Sequence, residues 1–459
     1  MDIVKELRAL IGEAGVLDAA EVAKRSAGVW RPDNLKAAAL ARPASTAQVA
    51  AVMQWCHAHG VTVVPQGGLT GLVHGADTEP GQVVISTERM KSIEAIDPIQ
   101  RTAVVQAGVS LQALQEAADA ADLLYPVDFP ARGTATLGGM AATNAGGNRV
   151  IRYGMTRDTV LGLEVVLADG TVVSSLNTLI KNNTGYDLKQ FFVGAEGTLG
   201  VITRLVLRLR EKPVAANTAF AGFDAFDNVA KFLKHMDRNL GGTLSSFEVM
   251  WQSFYRLVTT APAKGRPPIA QDYPYYVLVE SQGADRELDT QRFNSAMESA
   301  FESGLIVDAA IAQSDADSHG FWALRDDVER VMHGGLPVIF DISLPIAEMD
   351  AYARRLQEGL VDAIGADHRL FIFGHLGDGN LHVVVQVPPA IYMADRGKIE
   401  AVVYGGLASF RGAVSAEHGI GLEKKPWLAI SRSEPELAVM RALKAALDPR
   451  NLLNPGKIL

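Results

Sequence analysis

Two histidines in the run His375-Leu-Gly-Asp-Gly-Asn-Leu-His382 are spaced for metal chemistry. The chain enters by a strand-like run, Arg369-Leu-Phe-Ile-Phe-Gly, and leaves by another, His382-Val-Val-Val-Gln-Val. Asp378-Gly379 between them favours a two-residue type I′ turn, because both central residues need φ > 0. Such a turn sets His375 opposite His382, with Cβ atoms roughly 5 Å apart on one face. Imidazoles so placed can share an ion at Zn–N distances of about 2.0–2.1 Å. Downstream, Ser415-Ala-Glu417-His418-Gly419-Ile-Gly421 offers a third ligand in Glu417 and a base in His418. Two His and one Glu leave a coordination position open, as catalytic sites do. The same residues also suit a metal-dependent hydrolase that activates water, or a plain hairpin with two surface histidines.

The elements that must position these groups are legible as periodic runs. From about Ala37 to Arg210, short apolar runs bounded by Gly, Pro or Asp read as strands: Val61-Thr-Val-Val-Pro, Gln82-Val-Val-Ile-Ser, Thr102-Ala-Val-Val-Gln and Leu163-Glu-Val-Val-Leu. Helical patterns intervene at Thr46–His59 and Leu111–Ala121. Lys212-Pro213 marks a boundary. Beyond it, helices over Asp224–Leu240, Arg286–Ser303 and Ile346–Ile364 alternate with strands at Tyr275–Glu280, Leu336–Ser343 and Leu370–Phe373. This predicts an α+β protein whose second domain is an antiparallel sheet with helices on one face. Three segments follow: a first domain over 1–212, a second over 213–416 carrying the hairpin, and a mostly helical C-terminal segment over 417–459.

The bulk numbers set limits. At 459 residues the chain exceeds one ordinary core. A net charge of −9 argues against a nucleic-acid partner, which needs a basic surface. The single cysteine, Cys56, rules out an internal disulfide and fits a reducing compartment; it lies in a helical pattern and is expected to be buried. No secretory signal and no apolar run long enough to span a membrane is evident, so a cytoplasmic location is expected.

Three glycine clusters lie in the first domain. Pro65-Gln66-Gly67-Gly68-Leu69-Thr70-Gly71-Leu72 follows a strand; the others are Gly138-Gly139-Met-Ala-Ala-Thr143-Asn144-Ala-Gly146-Gly147 and Gly194-Ala-Glu196-Gly197-Thr198-Leu-Gly200-Val-Ile202. Close-set glycines let backbone N–H groups approach a pyrophosphate. The first cluster is neither a P-loop, since no Gly-Lys-Ser/Thr follows, nor a dinucleotide fingerprint, since the spacing is wrong. Three such loops suggest a long ligand threaded along backbone.

These motifs, with Glu-His-Gly-Ile-Gly and the terminal Asn454-Pro-Gly-Lys, occur in order over nearly the whole chain. They resemble the FAD-linked D-2-hydroxy-acid dehydrogenases of the vanillyl-alcohol-oxidase flavoprotein fold. The resemblance implies that the first domain binds FAD, with residues 66–72 around the pyrophosphate and 138–147, 194–202 and Asn454 lining the rest. It implies a divalent metal, zinc or a similar ion, on His375, His382 and Glu417, with His418 as base. Phe321-Trp322-Ala-Leu-Arg325 resembles the family's Trp-x-x-Arg helix, which makes Arg325 the clamp for the substrate carboxylate. Asn380 is placed to touch substrate or orient the site. The chemistry is coherent: flavin can accept the hydride, a metal lowers the hydroxyl pKa, and a neutral imidazole can take the proton.

Departures from the family pattern shape the substrate expectation. Where the D-2-hydroxyglutarate enzymes carry a Thr and a Lys for the distal carboxylate, this chain has Glu329 and Ile339. That favours D-lactate or an apolar D-2-hydroxy acid over D-2-hydroxyglutarate or D-malate. His74 stands where the family usually has Gly, and is read as a loop residue beside non-covalent FAD. By the resemblance, electrons pass to an electron-transfer flavoprotein or a quinone, and a homodimer is expected. A His/His/Glu set suits zinc, manganese, cobalt or iron alike.

Overall fold

Short β-branched runs punctuated by glycine and proline build three of the sheets, and longer alternating runs build a fourth. The structure is a computed structural model that describes every residue except Met1, Trp30 and Lys264. It divides into two units, the first comprising Met1–Gly147, Gly154–Lys212 and Glu417–Leu459, the second Asn148–Tyr153 and Pro213–Ala416. The hexapeptide Asn148–Tyr153 thus belongs to the second unit although it interrupts the first.

In the first unit, β1 (Val16–Asp18), β2 (Ala39–Ala41), β3 (Val63–Gln66) and β4 (Val83–Ser86) form a sheet in the order β1-β2-β4-β3. Strands β2, β4 and β3 run parallel, and β4 is buried throughout, as parallel strands covered on both faces are. The crossover from β2 to β3 is the helix Thr46–His59. Ser45 caps its start, Gly60 ends it at φ 68°, and Val49, Val52, Met53 and Cys56 form its buried stripe. A second, antiparallel sheet takes β5 (Ile93–Asp97), β6 (Thr102–Gln106), β8 (Val160–Val166), β9 (Val172–Ser175) and β10 (Val201–Arg208) in the order β5-β6-β10-β8-β9. β7 (Leu123–Leu124) and β11 (Arg210–Glu211) make a small ribbon. The C-terminal segment is less helical than its composition suggests. Its one long helix is Glu434–Leu447, and residues 417–424 are turns and loop, where glycines 419 and 421 take φ of 82° and 53°.

The second unit is built on a seven-stranded antiparallel sheet. Its strands are β12 (Ala215–Phe223), β13 (Leu244–Trp251), β14 (Tyr275–Gly283), β15 (Asp308–Ile311), β16 (Leu336–Ser343), β17 (Arg369–His375) and β18 (Asn380–Val387), in the order β15-β12-β14-β13-β17-β18-β16. Register fixes which side chains share a face. One cross-strand row runs Phe220, Leu278, Glu248, His375, and the next runs Tyr276, Met250, Phe373, His382, Asp341. The long helices Phe226–Leu240 and Pro389–Leu407 pack on the opposite face, where Phe232 meets Phe247 and Tyr404 meets Phe340. The row-bearing face is covered by the shorter helices Gln252–Thr259 and Asp315–Asp326, through Phe254 stacked on Phe373 and Phe321 edge-on to Phe220. Helices therefore lie on both faces, the longer ones away from the polar rows.

The hairpin differs from the two-residue turn expected of Asp378-Gly379. β17 and β18 pair with Phe373, not His375, opposite His382. Leu376–Asp378 form a 3-10 turn with Leu376 fully buried, and Gly379 alone takes the left-handed conformation, at φ 88°. Burying Leu376 and pairing His375 with β13 outweigh the local turn preference. The two imidazoles still meet, as diagonal neighbours with ring centroids 5.4 Å apart.

Candidate active site

Two carboxylate–histidine pairs lie on the otherwise largely apolar row-bearing face of the second unit's sheet. Glu248 on β13 is opposite His375 on β17, and its Oε1 lies 2.8 Å from His375 Nδ1. Asp341 on β16 is opposite His382 on β18, with Oδ1 4.0 Å from His382 Nδ1. Both carboxylates are buried. At hydrogen-bond distance, Glu248 fixes the His375 tautomer and turns Nε2 toward a ligand, as second-layer partners of metal-binding histidines do, while Asp341 sets a negative charge near His382. The donor chemistry of His375 and His382 therefore fits a divalent ion, which they could hold through Nε2.

Arg325 ends the helix Asp315–Asp326 and is 3% exposed, so it is no surface residue. Its Nε donates to Glu248 Oε2 at 2.7 Å, and its guanidinium lies 5.1 Å from the Phe373 ring centre. Burial by itself would raise Glu248, but His375 and Arg325 outweigh it and hold the carboxyl below the usual range. The same helix is pinned a turn earlier, where Trp322 Nε1 donates to buried Glu280 at 2.9 Å.

Asn380, 3% exposed, donates Nδ2 to Asp341 Oδ1 at 2.8 Å and to the Ile342 carbonyl at 3.0 Å, while its Oδ1 is buried without a hydrogen bond. Asp341 Oδ2 accepts from Ala416 N–H at 3.1 Å and Ser415 Oγ at 3.4 Å. It thereby fixes the residue that Glu417 and His418 follow in the chain. Burial pushes the Asp378 carboxyl in the turn up to about 6, against the pull of His375. Glu248 and Asp341 were not singled out from sequence. The available signal was one carboxylate at an inward position of an otherwise apolar strand, in Phe247-Glu248-Val249-Met250 and Phe340-Asp341-Ile342.

In the first unit, Gly67–Leu72 follows β3 directly. The backbone here lies against residues 134–139. A Cβ at Gly68 would lie 1.9 Å from the Thr134 carbonyl oxygen, and one at Gly67 2.3 Å from Thr136 Oγ1 and 3.5 Å from Gly139 Cα. Thr136 caps the short helix Leu137–Thr143, whose first N–H groups bond to the Val109 and Ala107 carbonyls and to Thr136 itself, so the glycine loop packs against a helix start whose donors are already spent. The backbone of the glycine loop itself is the part that suits a pyrophosphate. Leu69 takes φ 55°, and Gly71 is open. Gly138 packs on Ala107 and Gly200 on Val165, so these two serve close packing; Gly147 abuts the Asp128 carbonyl. Thr143 hydroxyl bonds back to the Gly139 carbonyl, Asn144 Oδ1 accepts from Arg157 N–H, and Ile202 is a core residue of β10.

Asn454, 1% exposed, donates to the carbonyls of Gly75 and Glu196, and its N–H bonds to Val63 on β3. Glu196 spends its carboxylate on the N–H groups of Ile420 and Gly421, at 2.6 and 2.8 Å. It therefore holds the loop that follows Glu417-His418. His74 Nδ1 sits 3.0 Å from Asp77 and 2.8 Å from Arg31, and the Asp77 carboxylate raises its pKa.

The family matches define an FAD-binding oxidoreductase. Residues 37–175 match the FAD binding domain family, and residues 212–458 match the C-terminal domain of FAD linked oxidases. p-Cresol methylhydroxylase, solved with substrate bound, superposes with a TM-score of 0.76 at 17% identity, covering 99% of this chain and 96% of that one. The fold is thus that of the vanillyl-alcohol-oxidase flavoproteins. Among sequence relatives, a D-2-hydroxyglutarate dehydrogenase of Xanthomonas citri pv. viticola is 40% identical over 94% of this chain and 90% of its own length. The mitochondrial D-2-hydroxyglutarate dehydrogenase of Bos taurus is 40% identical over 92% of this chain and 76% of its own. The chain belongs to the FAD-linked D-2-hydroxy-acid dehydrogenase family. Among the described residues, no helix is long and apolar enough to cross a membrane.

Proposed function

We propose that this chain oxidises D-2-hydroxyglutarate to the 2-oxo acid with non-covalent FAD and a divalent ion. The two carboxylate–histidine pairs beside buried Arg325 are the observation that carries the chemistry. The substrate follows the relatives, which support D-2-hydroxyglutarate better than the D-lactate expected from Glu329 and Ile339. Glu329 is exposed, and Ile339 packs against the apolar cluster around Phe371 and Phe373. Glu329 is therefore no fixed obstacle, whereas Ile339 lies on the face that carries His382 and Asp341, one cross-strand row further along and opposite Val384.

His375, His382 and Glu417 would hold the ion, zinc being one candidate, and Asp341 anchors the backbone immediately before Glu417. FAD supplies two-electron acceptor chemistry, and a divalent ion supplies Lewis acidity to a ligand hydroxyl. Arg325, with Nε committed to Glu248, meets the substrate C1 carboxylate through its terminal nitrogens. Asn380 Oδ1 is an acceptor for a substrate hydroxyl. Neutral His418 takes the hydroxyl proton at Nδ1 or Nε2. An electron-transfer flavoprotein or a quinone reoxidises the enzyme.

The test is anaerobic addition of D-2-hydroxyglutarate, D-lactate and D-malate to purified protein, with and without prior chelation. The expected result is bleaching of the flavin band fastest by D-2-hydroxyglutarate, lost on chelation and restored by added ion. Faster bleaching by D-lactate overturns the substrate assignment. Bleaching that survives complete metal removal overturns the ion's role, and colourless protein that takes up no FAD removes the flavoenzyme altogether.

A further inference from the structure

One carboxylate joins the anchor for substrate to the ligand for the ion. Glu248 is 1% exposed; one oxygen accepts from Arg325 Nε at 2.7 Å, and the other faces His375 Nδ1 at 2.8 Å. Arg325 and His375 are themselves 3% and 5% exposed, so bulk water is a poor substitute for Glu248 at either contact. Resting on the function proposed above, we infer that Glu248 is a positioning residue that couples occupancy of the ion site to affinity for the substrate carboxylate.

The physical argument is competition for one negative charge. With an ion held by His375, its Nδ1–H would make a stronger demand on Glu248. Glu248 then neutralises Arg325 less, and the guanidinium binds an incoming carboxylate more strongly. A substrate carboxylate on Arg325 conversely releases Glu248 to support His375. The coupling must be equal in both directions, because it is a difference of binding free energies. Glu280, on the same sheet face, pairs with Arg149, Ser245 and Trp322 but with no histidine. It supplies the control: a buried carboxylate that stabilises the helix bearing Arg325 without touching an ion ligand.

The experiment measures Mn2+ and Zn2+ affinity of the FAD-loaded protein against a competing chelator dye, with and without glutarate. Glutarate carries the carboxylates but no 2-hydroxyl. Wild type is expected to bind the ion about 5-fold or more tightly when glutarate is present. Glu248→Gln presents one acceptor and one donor where two acceptors stood. It is expected to bind the ion about 10–100-fold more weakly and to lose the glutarate effect. Glu280→Gln is expected to lower Tm while keeping both the ion affinity and the glutarate effect. FAD content reports whether each variant folds, and the wild-type glutarate effect needs no variant at all. Wild type that binds the ion equally with and without glutarate overturns the coupling, as does Glu248→Gln that retains it. Wild type that binds no ion overturns the ion site itself, and this inference with it.

Discussion

Asp341 and His382 face each other across adjacent antiparallel strands, with Oδ1 and Nδ1 4.0 Å apart, and the other oxygen of the same aspartate holds the backbone of Ala416. One buried carboxylate thus places a negative charge beside a histidine and fixes the chain just before Glu417-His418. Asp341→Asn replaces an acceptor at one of these contacts with a donor. It should weaken ion binding by about 10–100-fold and lower turnover, while FAD content is unchanged. Chelator-competition titration and the ratio of flavin to protein absorbance check this. Unchanged ion affinity would refute it.

The glycine cradle makes a graded prediction. At Gly68 an added Cβ meets rigid backbone at 1.9 Å, whereas at Gly71 it meets nothing within 4 Å. Gly68→Ala should cost about 1–3 kcal/mol or more through overpacking and abolish FAD retention on gel filtration. Gly71→Ala should keep the fold and Tm. Equal FAD content in the two variants would contradict the cradle.

Arg325 and Glu248 form a buried pair, and removing one partner leaves an uncompensated charge. Arg325→Ala should lose about 3–5 kcal/mol of stability in denaturant titrations. Arg325→Lys keeps the charge but not the planar fork. It should retain most stability and raise KM at least about 10-fold. A KM within twofold of wild type would remove Arg325 from substrate binding.

The same pair gives a pH dependence with a defined sign. The Glu248 carboxyl is held below the ordinary glutamate value of 4.5 in the folded protein. A depressed pKa contributes stability that is fully present above the unfolded value and is lost as pH falls through the folded one. The stability advantage of wild type over Glu248→Gln should be constant from neutrality to about pH 5.5 and shrink below pH 4.5. Thermal melts of both proteins across pH 3.5–8 in roughly half-unit steps measure it. An advantage that grows on acidification would reverse the sign.

Cys56 lies fully buried in the helix Thr46–His59, and burial pushes its thiol up to about 12. Since the thiolate is the nucleophile, native protein at pH 8 should resist iodoacetamide and react only when unfolded. Mass spectrometry before and after denaturation decides it, and rapid labelling of native protein would show the helix to be open.

Much of this protein is local, and local features are written in the sequence. The helix Thr46–His59 begins and ends at the residues its cap and apolar spacing specify. β16, Leu336–Ser343, coincides with its apolar run, and the glycine cluster after β3 lies where the chain passes close to residues 134–139. His375 and His382 were recognisable because they flank one short turn. The tertiary structure decided what depends on strands far apart in sequence. The turn preference of Asp378-Gly379 gave way to burial of Leu376 and to the pairing of His375 with β13. Glu248 lies 127 residues from His375, and Asp341 lies 74 from Ser415. No periodicity within β13 or β16 can name those partners. Sheet register alone sets which carboxylate stands opposite which histidine. Register is a property of the assembled sheet, because the free energy that selects it comes from burying both faces at once.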